Sequence, residues 1–268
     1  MTDARSRQRV PMDPMRKTAL VAGLFYLLTF ISIPTLAIYS ALKSDPAWIL
    51  GSGSDTGVLL GTVLELIVAL AGIGTAVALF PVVRRQSEGF ALGFVTTRIV
   101  EAAMIFMGVV SILSLVTLQQ GLGAAAGAAD APALTTTGAS LVSNYNWAFT
   151  VGQSLMPGFN ALLLGTLLYR SGLVPRALPT LGLIGAPILI TATVLTIFGV
   201  VEQYSPLGGL ASLPIAVWEF SLGLYLTFKG FKATAPIMMA AAAKSSGLGA
   251  ITAAQSPMPV AITTAGAA

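Results

Sequence analysis

Four ionisable side chains lie inside long apolar stretches of the sequence, and they are the first candidates for chemistry. They are Glu65, Arg98, Glu101 and Glu219. A charge in the hydrocarbon core of a membrane costs several kcal/mol if it faces lipid, so such side chains turn toward protein and find partners. Intramembrane carboxylates also commonly mark proton and ion pathways. We therefore expect these four residues to face the interior of a helix bundle.

The spacing of these residues predicts which of them meet. Arg98 precedes Glu101 by three residues, which places both on one face of a helix. Glu101 and Glu219 both lie near the middle of their apolar stretches, so their depths in the membrane match. Three carboxylates and one guanidinium do not balance. If all four groups meet, a carboxyl group must be protonated or a cation must bind.

Two further polar residues are candidates for the same interior, Gln153 and Asn160. Small residues accompany each carboxylate at helical spacing, among them Gly61, Ala69 and Gly72 around Glu65. Small side chains let membrane helices approach closely. The candidate site is therefore an intramembrane polar cluster at a helix interface.

The residue inventory argues against most enzymes. The chain has no histidine and no cysteine, which removes Ser–His nucleophiles, thiol chemistry and the usual zinc and haem ligands. An intramembrane aspartyl dyad or a retinal Schiff base needs an aspartate pair or a lysine inside the apolar stretches. All five aspartates and every lysine lie outside them. We expect no catalytic activity, no metal and no cofactor.

The composition predicts which secondary-structure elements hold these ionisable groups in place. Of the 268 residues, 55% are hydrophobic and only 9% are charged, whereas a soluble domain carries about 25% charged residues. A bilayer core of about 30 Å needs about 20 apolar helical residues. Six stretches qualify: residues 18–42, 58–83, 90–118, 145–169, 178–201 and 210–228. The sequence predicts an all-α integral membrane bundle of six transmembrane helices.

The basic residues predict its orientation. Only Lys43 lies in the first connection, whereas twelve of the fourteen basic residues flank the other side of the membrane. Those twelve are Arg5, Arg7, Arg9, Arg16, Lys17, Arg84, Arg85, Arg170, Arg176, Lys229, Lys232 and Lys244. Basic residues favour cytoplasmic segments, so both termini are expected in the cytoplasm. The same distribution explains the net charge of +4 without nucleic-acid binding.

The segments outside the spans complete the domain organisation. Residues 1–15 form a basic cytoplasmic segment, residues 16–232 the six-helix domain, and residues 233–268 a disordered cytoplasmic tail. Residues 119–143, rich in glycine and alanine, are expected to form a flexible outer loop. Pro34, Pro157 and Pro187 lie inside spans and predict kinks or local breaks.

Several segments carry a family resemblance that extends over residues 16–232. They are RKTALVAGLFYLLTF, TRIVEAAM, NALLLGTLLYRSGLVPR, GLIGAP and LPIAVWEFSLGLYLTFKGF, of which YRSGLVPR and WEFSLG are the most specific. The chain resembles a bacterial membrane family known as domain of unknown function 4386. The resemblance implies six spans and a place in the bacterial cytoplasmic (inner) membrane, but no established activity.

Two functions are open at this point. The first is a transporter-like protein that moves a small solute, a proton or a cation by means of the Glu/Arg cluster. The second is a non-catalytic scaffold or sensor subunit that binds another membrane protein, with charges that only clamp its helices. A water-accessible cavity that reaches the cluster favours transport, whereas a dry, fully paired clamp favours the scaffold.

Overall fold

Six long helices make up the computed structural model, which describes residues 12–51, 55–123, 125–240 and 243. They are α1 (Pro14–Ile38), α2 (Thr56–Val83), α3 (Glu88–Gly123), α4 (Ala131–Ser171), α5 (Ala177–Ile197) and α6 (Pro206–Phe228). Each is long and apolar enough to cross a membrane. No strand occurs in the described ranges. The predicted all-α fold is confirmed in the described ranges, and so is the prediction of six helices that are long and apolar enough to span a membrane.

The six helices form a closed ring. Helices that follow one another along the chain pack side by side in opposite directions, and α6 also packs against α1. We call the end that carries Arg16 and Lys229 the terminal end, and the end that carries Lys43 and Gln203 the distal end. Every helix therefore has one face toward the centre of the ring and one toward its surroundings.

The outer faces of the ring are apolar. Large hydrophobic side chains remain exposed on all six helices, for example Leu24, Leu70, Val110, Phe159, Ile184 and Leu213. A soluble protein would not leave so much contiguous apolar surface in water. The exposed side chains therefore match contact with lipid.

Capping residues determine where several helices begin and end. The Asp13 side chain accepts a hydrogen bond from the Arg16 backbone N–H at 3.1 Å, and Pro14 opens α1. Ser205 caps α6 in the same way. Glycines with positive φ follow α4, α5 and α6, namely Gly172, Gly199 and Gly230. Only glycine adopts this conformation without strain, so these positions stop the helices.

Close contacts hold α1 against α6. At position 23, a Cβ atom would lie 2.6 Å from the backbone nitrogen of Thr227. The Arg16 guanidinium donates hydrogen bonds to the carbonyl oxygens of Leu226, at 3.0 Å, and Thr227, at 2.5 Å. These carbonyls have no partner within the helix, and a cation at a helix C-terminus is favourable. The ring thus closes through a glycine contact and an arginine cap.

The helix boundaries differ from the prediction mainly at α4. This helix begins at Ala131, whereas the sequence predicted a span from residue 145 and a flexible loop before it. The first turns of α4 consist mostly of small residues and a run of three threonines, Thr135 to Thr137, so an apolar-stretch criterion omits them. Gly138 in this part packs against Ile49, a buried residue of the first connection. Tertiary packing therefore stabilises a helix where the composition indicates a loop.

Two of the three span prolines accompany breaks in regular helix. In α1 a tighter 3₁₀ turn, Thr29–Ser32, precedes Pro34. In α4 a wider π-helical segment, Thr150–Leu155, precedes Pro157. A proline frees a carbonyl one turn earlier, and such local adjustments accommodate it. Pro187 lies inside the uninterrupted helix α5.

The polypeptide beyond Lys232 begins with packed residues. The Lys232 backbone N–H donates to the Leu173 carbonyl at 2.8 Å, and Ala235 is buried. Ile237 and Met238 pack against the hydrophobic core. Most of the predicted basic segment and of the predicted disordered tail, residues 1–11, 241–242 and 244–268, lies outside the described residues.

Candidate functional site

Arg98 pairs with carboxylates on two helices. Its Nη1 donates to Glu101 Oε2 at 3.0 Å, and its Nη2 donates to Glu219 Oε1 at 2.5 Å. The first contact lies along α3 and the second bridges to α6. The prediction that Arg98 pairs with Glu101 or with a carboxylate on span two or six is confirmed, because Arg98 pairs with Glu101 and also with Glu219 on span six.

Asn160 brings α4 into the same group. Its side-chain nitrogen donates to Glu101 Oε2 at 2.6 Å, while its oxygen accepts from the Thr97 hydroxyl at 2.6 Å. Asn160 is fully buried. We call Arg98, Glu101, Glu219 and Asn160 the buried charge cluster. It links α3, α4 and α6 near the middle of the ring.

Aromatic rings surround the guanidinium on its remaining sides. The Cζ atom of Arg98 lies 5.2 Å from the ring centroid of Tyr26 and 5.8 Å from that of Phe94, within the range of a cation–π contact. Arg98 Nε and the nearby Tyr26 hydroxyl have no partner at good hydrogen-bonding geometry among the described residues. The cluster therefore retains unused hydrogen-bonding capacity.

Two carboxylates share one guanidinium in this cluster. The formal excess of one negative charge is unfavourable in a low-dielectric interior, and a proton or a bound cation would neutralise it. The side chains of Glu101 and Glu219 retain 10% and 12% exposure, whereas Arg98 retains 1%. Space that a water-sized group can enter therefore adjoins the carboxylates rather than the guanidinium.

Glu65 lies apart from this cluster. On α2 it is Gly72 that faces Arg98, since a Cβ atom there would lie 4.0 Å from Arg98 Nη1. Glu65 precedes Gly72 by seven residues, or about 10 Å along the helix axis toward the distal end. Its Oε1 accepts a hydrogen bond from the Tyr145 hydroxyl at 2.6 Å. Glu65 thus belongs to a second polar network.

Lys43 joins that second network from the first connection. Its ammonium lies 4.6 Å from the ring centroid of Tyr145 and 4.2 Å from that of Tyr204. The Phe149 centroid is 5.6 Å away. Burial lowers the pKa of Lys43 to about 8, and the charge of Glu65 partly opposes that effect.

A cavity of about 600 Å³ opens at the distal end, between α1, α4, α5 and α6. We call it the distal pocket. Gln153, the remaining residue predicted for the site, lines it, as do Lys43 and Ser212. Gln153 precedes Asn160 by seven residues on α4, and Ser212 precedes Glu219 by seven residues on α6. The pocket therefore lies about two helical turns, roughly 10 Å, above the buried charge cluster.

Sequence reasoning missed the aromatic and basic residues of the second network. Lys43 was visible only as an exception to the charge asymmetry. The predicted fourth span begins at residue 145, which places Tyr145 at the end of a span, beside a membrane interface. In the structure α4 begins fourteen residues earlier, so Tyr145 is buried and faces Glu65.

Comparison with known proteins identifies one similarity. The family described as "Domain of unknown function (DUF4386)" matches residues 21–230. No curated protein matches the chain, and no solved structure matches it. The matched range contains all six helices except the first residues of α1, and it includes the buried charge cluster and the distal pocket.

Proposed function

The chain belongs to the DUF4386 family, and we propose that it is a transporter-like protein that moves a proton, a cation or a small solute across a bacterial cytoplasmic membrane. In this proposal the distal pocket admits the transported species. The carboxylates of the buried charge cluster bind the proton or cation. The cluster contains no recognisable catalytic group, so the proposal assigns no enzymatic reaction.

The position of the pocket above the cluster is the observation that carries this proposal. Ser212 in the pocket and Glu219 in the cluster lie on one face of α6, and Gln153 and Asn160 are spaced in the same way on α4. Two helices therefore connect an open cavity to a pair of carboxylates that carries more negative charge than its single guanidinium neutralises. Such a pair can exchange a proton or cation without losing its partner.

The proposed orientation places the distal end outside the cell and both termini in the cytoplasm. Its support is the distribution of basic residues in the sequence, with twelve in the segments predicted to be cytoplasmic and only Lys43 in the first connection. With this orientation the distal pocket opens outward. The positive charge on Lys43 then faces the outer side.

The terminal half of the ring supports a closed inner side. Leu79, Leu164 and Leu222 lie beyond the cluster toward the terminal end, are fully buried and belong to one hydrophobic core. This core separates the carboxylates from the terminal end. A transporter in this state is open outward and closed inward, and it would release its cargo after the terminal half opens.

A scaffold remains the second candidate, and a specific observation favours it. No residue of the buried charge cluster lines the distal pocket, and Arg98 is paired on both sides. A clamp that only holds α3, α4 and α6 in register would have this appearance. The protein would then bind another membrane protein and carry no flux.

Flux through proteoliposomes distinguishes the two candidates. Purified protein is reconstituted with a dye inside that responds to pH, Na⁺ or K⁺, and the gradient of the matching ion is imposed in each case. We expect wild-type flux above that of empty liposomes, and a loss of about tenfold or more in Glu219→Gln because the titratable group is gone. Glu88→Gln is the matched control, since Glu88 is exposed at the first turn of α3, and it should match wild type.

The melting temperature of each variant in detergent completes the test. A Glu219→Gln protein that folds normally but no longer carries flux would exclude the pure clamp. Folded wild-type protein with no flux for any of the three ions would contradict proton and cation transport by the cluster. Equal flux in wild type and Glu219→Gln would contradict it as well.

A further inference from the structure

We propose that the distal pocket binds a small organic carboxylate, a monoanion whose carboxylate contacts Lys43 and whose apolar part lies against the hydrophobic wall of the pocket. The inference specifies the solute for the proposed transport function and rests on it for its physiological meaning. Binding itself can be measured without flux.

The first argument is a positive charge that lacks an anion. Lys43 lines the pocket, yet the ion pairs among the described residues all involve Arg98. The ammonium lies over the faces of three aromatic rings, those of Tyr145, Phe149 and Tyr204. Glu65, whose charge acts on Lys43, forms no ion pair with it among the described residues and accepts a hydrogen bond from the Tyr145 hydroxyl. A ligand anion would therefore complete the coordination of Lys43.

The second argument is a pair of unused hydrogen-bond donors in the same pocket. The side chains of Gln153 and Ser154 line it and have no hydrogen-bond partner among the described residues. By contrast Ser212 and Thr193 donate to carbonyls of their own helices. Gln153 and Ser154 lie in the π-helical segment Thr150–Leu155. Such segments are rare and occur frequently at functional sites.

The pocket also has an apolar wall. Leu36, Phe149 and Leu189 contribute to its lining. Its volume of about 600 Å³ lies in the range of small-molecule sites, roughly 300–1,000 Å³. A hydrated inorganic ion would leave this wall uncovered, whereas an organic anion would cover it.

Charge balance selects a monoanion. A cation held against Lys43 would be repelled, and a neutral ligand there would leave the ammonium unpaired. One ammonium matches one carboxylate better than the two charges of a phosphate monoester. Glu202, the acidic residue of the lining, is exposed at the rim, where it remains solvated.

Binding of benzoate and hexanoate to the full chain in lipid nanodiscs tests the inference, measured by equilibrium dialysis at neutral pH. We expect both probes to bind and benzamide, the neutral analogue of benzoate, to bind at least about tenfold more weakly. Lys43→Gln should lose benzoate affinity by a similar factor, and Lys43→Arg should retain most of it. Lys229→Gln, which removes an exposed charge at the terminal end, is the matched control and should bind normally.

The pH dependence provides an independent readout. Burial lowers the pKa of Lys43 to about 8, so the ammonium is lost as the pH rises from about 7 to about 9. The probes stay ionised over this range, and their affinity should fall in wild type but much less in Lys43→Arg. The titratable groups that face Lys43 from neighbouring elements or line its pockets are Glu65, Tyr145, Tyr204, Glu202 and Asp45.

Distinct outcomes separate this inference from the transport proposal. Failure of both probes to bind, or equal binding of benzoate and benzamide, would overturn it. If Lys43→Gln does not fold, Gln153→Leu replaces it and should weaken benzoate binding. Unchanged affinity in that folded variant would count against the site. Glu219→Gln should bind benzoate normally even where flux is lost, so the two proposals fail independently.

Discussion

The stability of the buried Arg98 side chain depends on two opposing contributions, the cost of desolvation and the gain from its partners. Removing a guanidinium from water is costly, and its side chain is only 1% exposed. Two carboxylates and two aromatic rings offset that cost. The same arrangement leaves Glu101 and Glu219 dependent on one positive charge. Its loss should therefore destabilise the protein more than the loss of either carboxylate.

Arg98→Gln is expected to lower the free energy of unfolding by about 3–5 kcal/mol, because two buried carboxylates lose their counter-ion. Arg84→Gln is the control, since Arg84 is exposed at the terminal end and its loss should change stability by less than about 0.5 kcal/mol. Thermal melting in detergent compares the two. Equal melting temperatures for Arg98→Gln and wild type would show that the cluster does not hold the helices together.

Sequence reasoning recovered part of the site at this scale. The spacing of Arg98 and Glu101 predicts their contact because three residues return a helix to the same face. Glu219 follows from its matching depth. The separation of Glu65 could not be predicted, because rotation and tilt of α2 decide that Gly72 faces the guanidinium. The Tyr145 partner depended on a helix boundary that hydrophobicity does not reveal.

At the scale of elements, glycine contacts determine how closely the helices approach. Gly182 of α5 lies against the ring of Trp218 on α6, where a Cβ atom would approach to 2.6 Å. Gly23 of α1 lies against the backbone of α6. Backbone atoms cannot move aside as a flexible side chain can. The α1–α6 contact, which closes the ring, is therefore sensitive to added volume.

Gly23→Ala should destabilise the protein by about 1–3 kcal/mol, because the added methyl group forces α1 and α6 apart. Gly89→Ala is the matched control, since nothing lies within 4 Å of the corresponding position in α3. Alanine there should be neutral or slightly stabilising. Denaturation in detergent measures both variants, and a Gly23→Ala protein as stable as wild type would argue against tight closure of the ring.

The six apolar spans were predictable because each provides about 20 residues of lipid-compatible helix. The first part of α4 was not predictable, since its stability depends on packing partners far away in the sequence, such as Ile49 against Gly138. Pro157 indicated a break but not its form. The π-helical segment beside it, which presents Gln153 and Ser154 to the distal pocket, emerges only from the structure.

At the scale of the whole molecule, the ring is asymmetric between its two ends. The distal end contains the pocket and the second polar network, whereas the terminal end is filled by the largest hydrophobic core. A ring that is open at one end and packed at the other, with charges between, fits alternating access. Transport by the proposed route therefore depends on water that reaches the floor of the distal pocket from outside the cell.

Cysteine accessibility tests that dependence most directly. The chain has no cysteine, so Ser212→Cys introduces a single reactive thiol at the floor of the distal pocket, two turns above Glu219. A membrane-impermeant maleimide is applied to intact spheroplasts and, separately, to inverted membrane vesicles. Arg84→Cys, exposed at the terminal end, is the control for the opposite side. If the distal pocket opens outward, Ser212→Cys is labelled only in spheroplasts and Arg84→Cys only in inverted vesicles. A folded Ser212→Cys protein that is labelled from the inner side alone, or from neither side, would contradict the proposed outward opening.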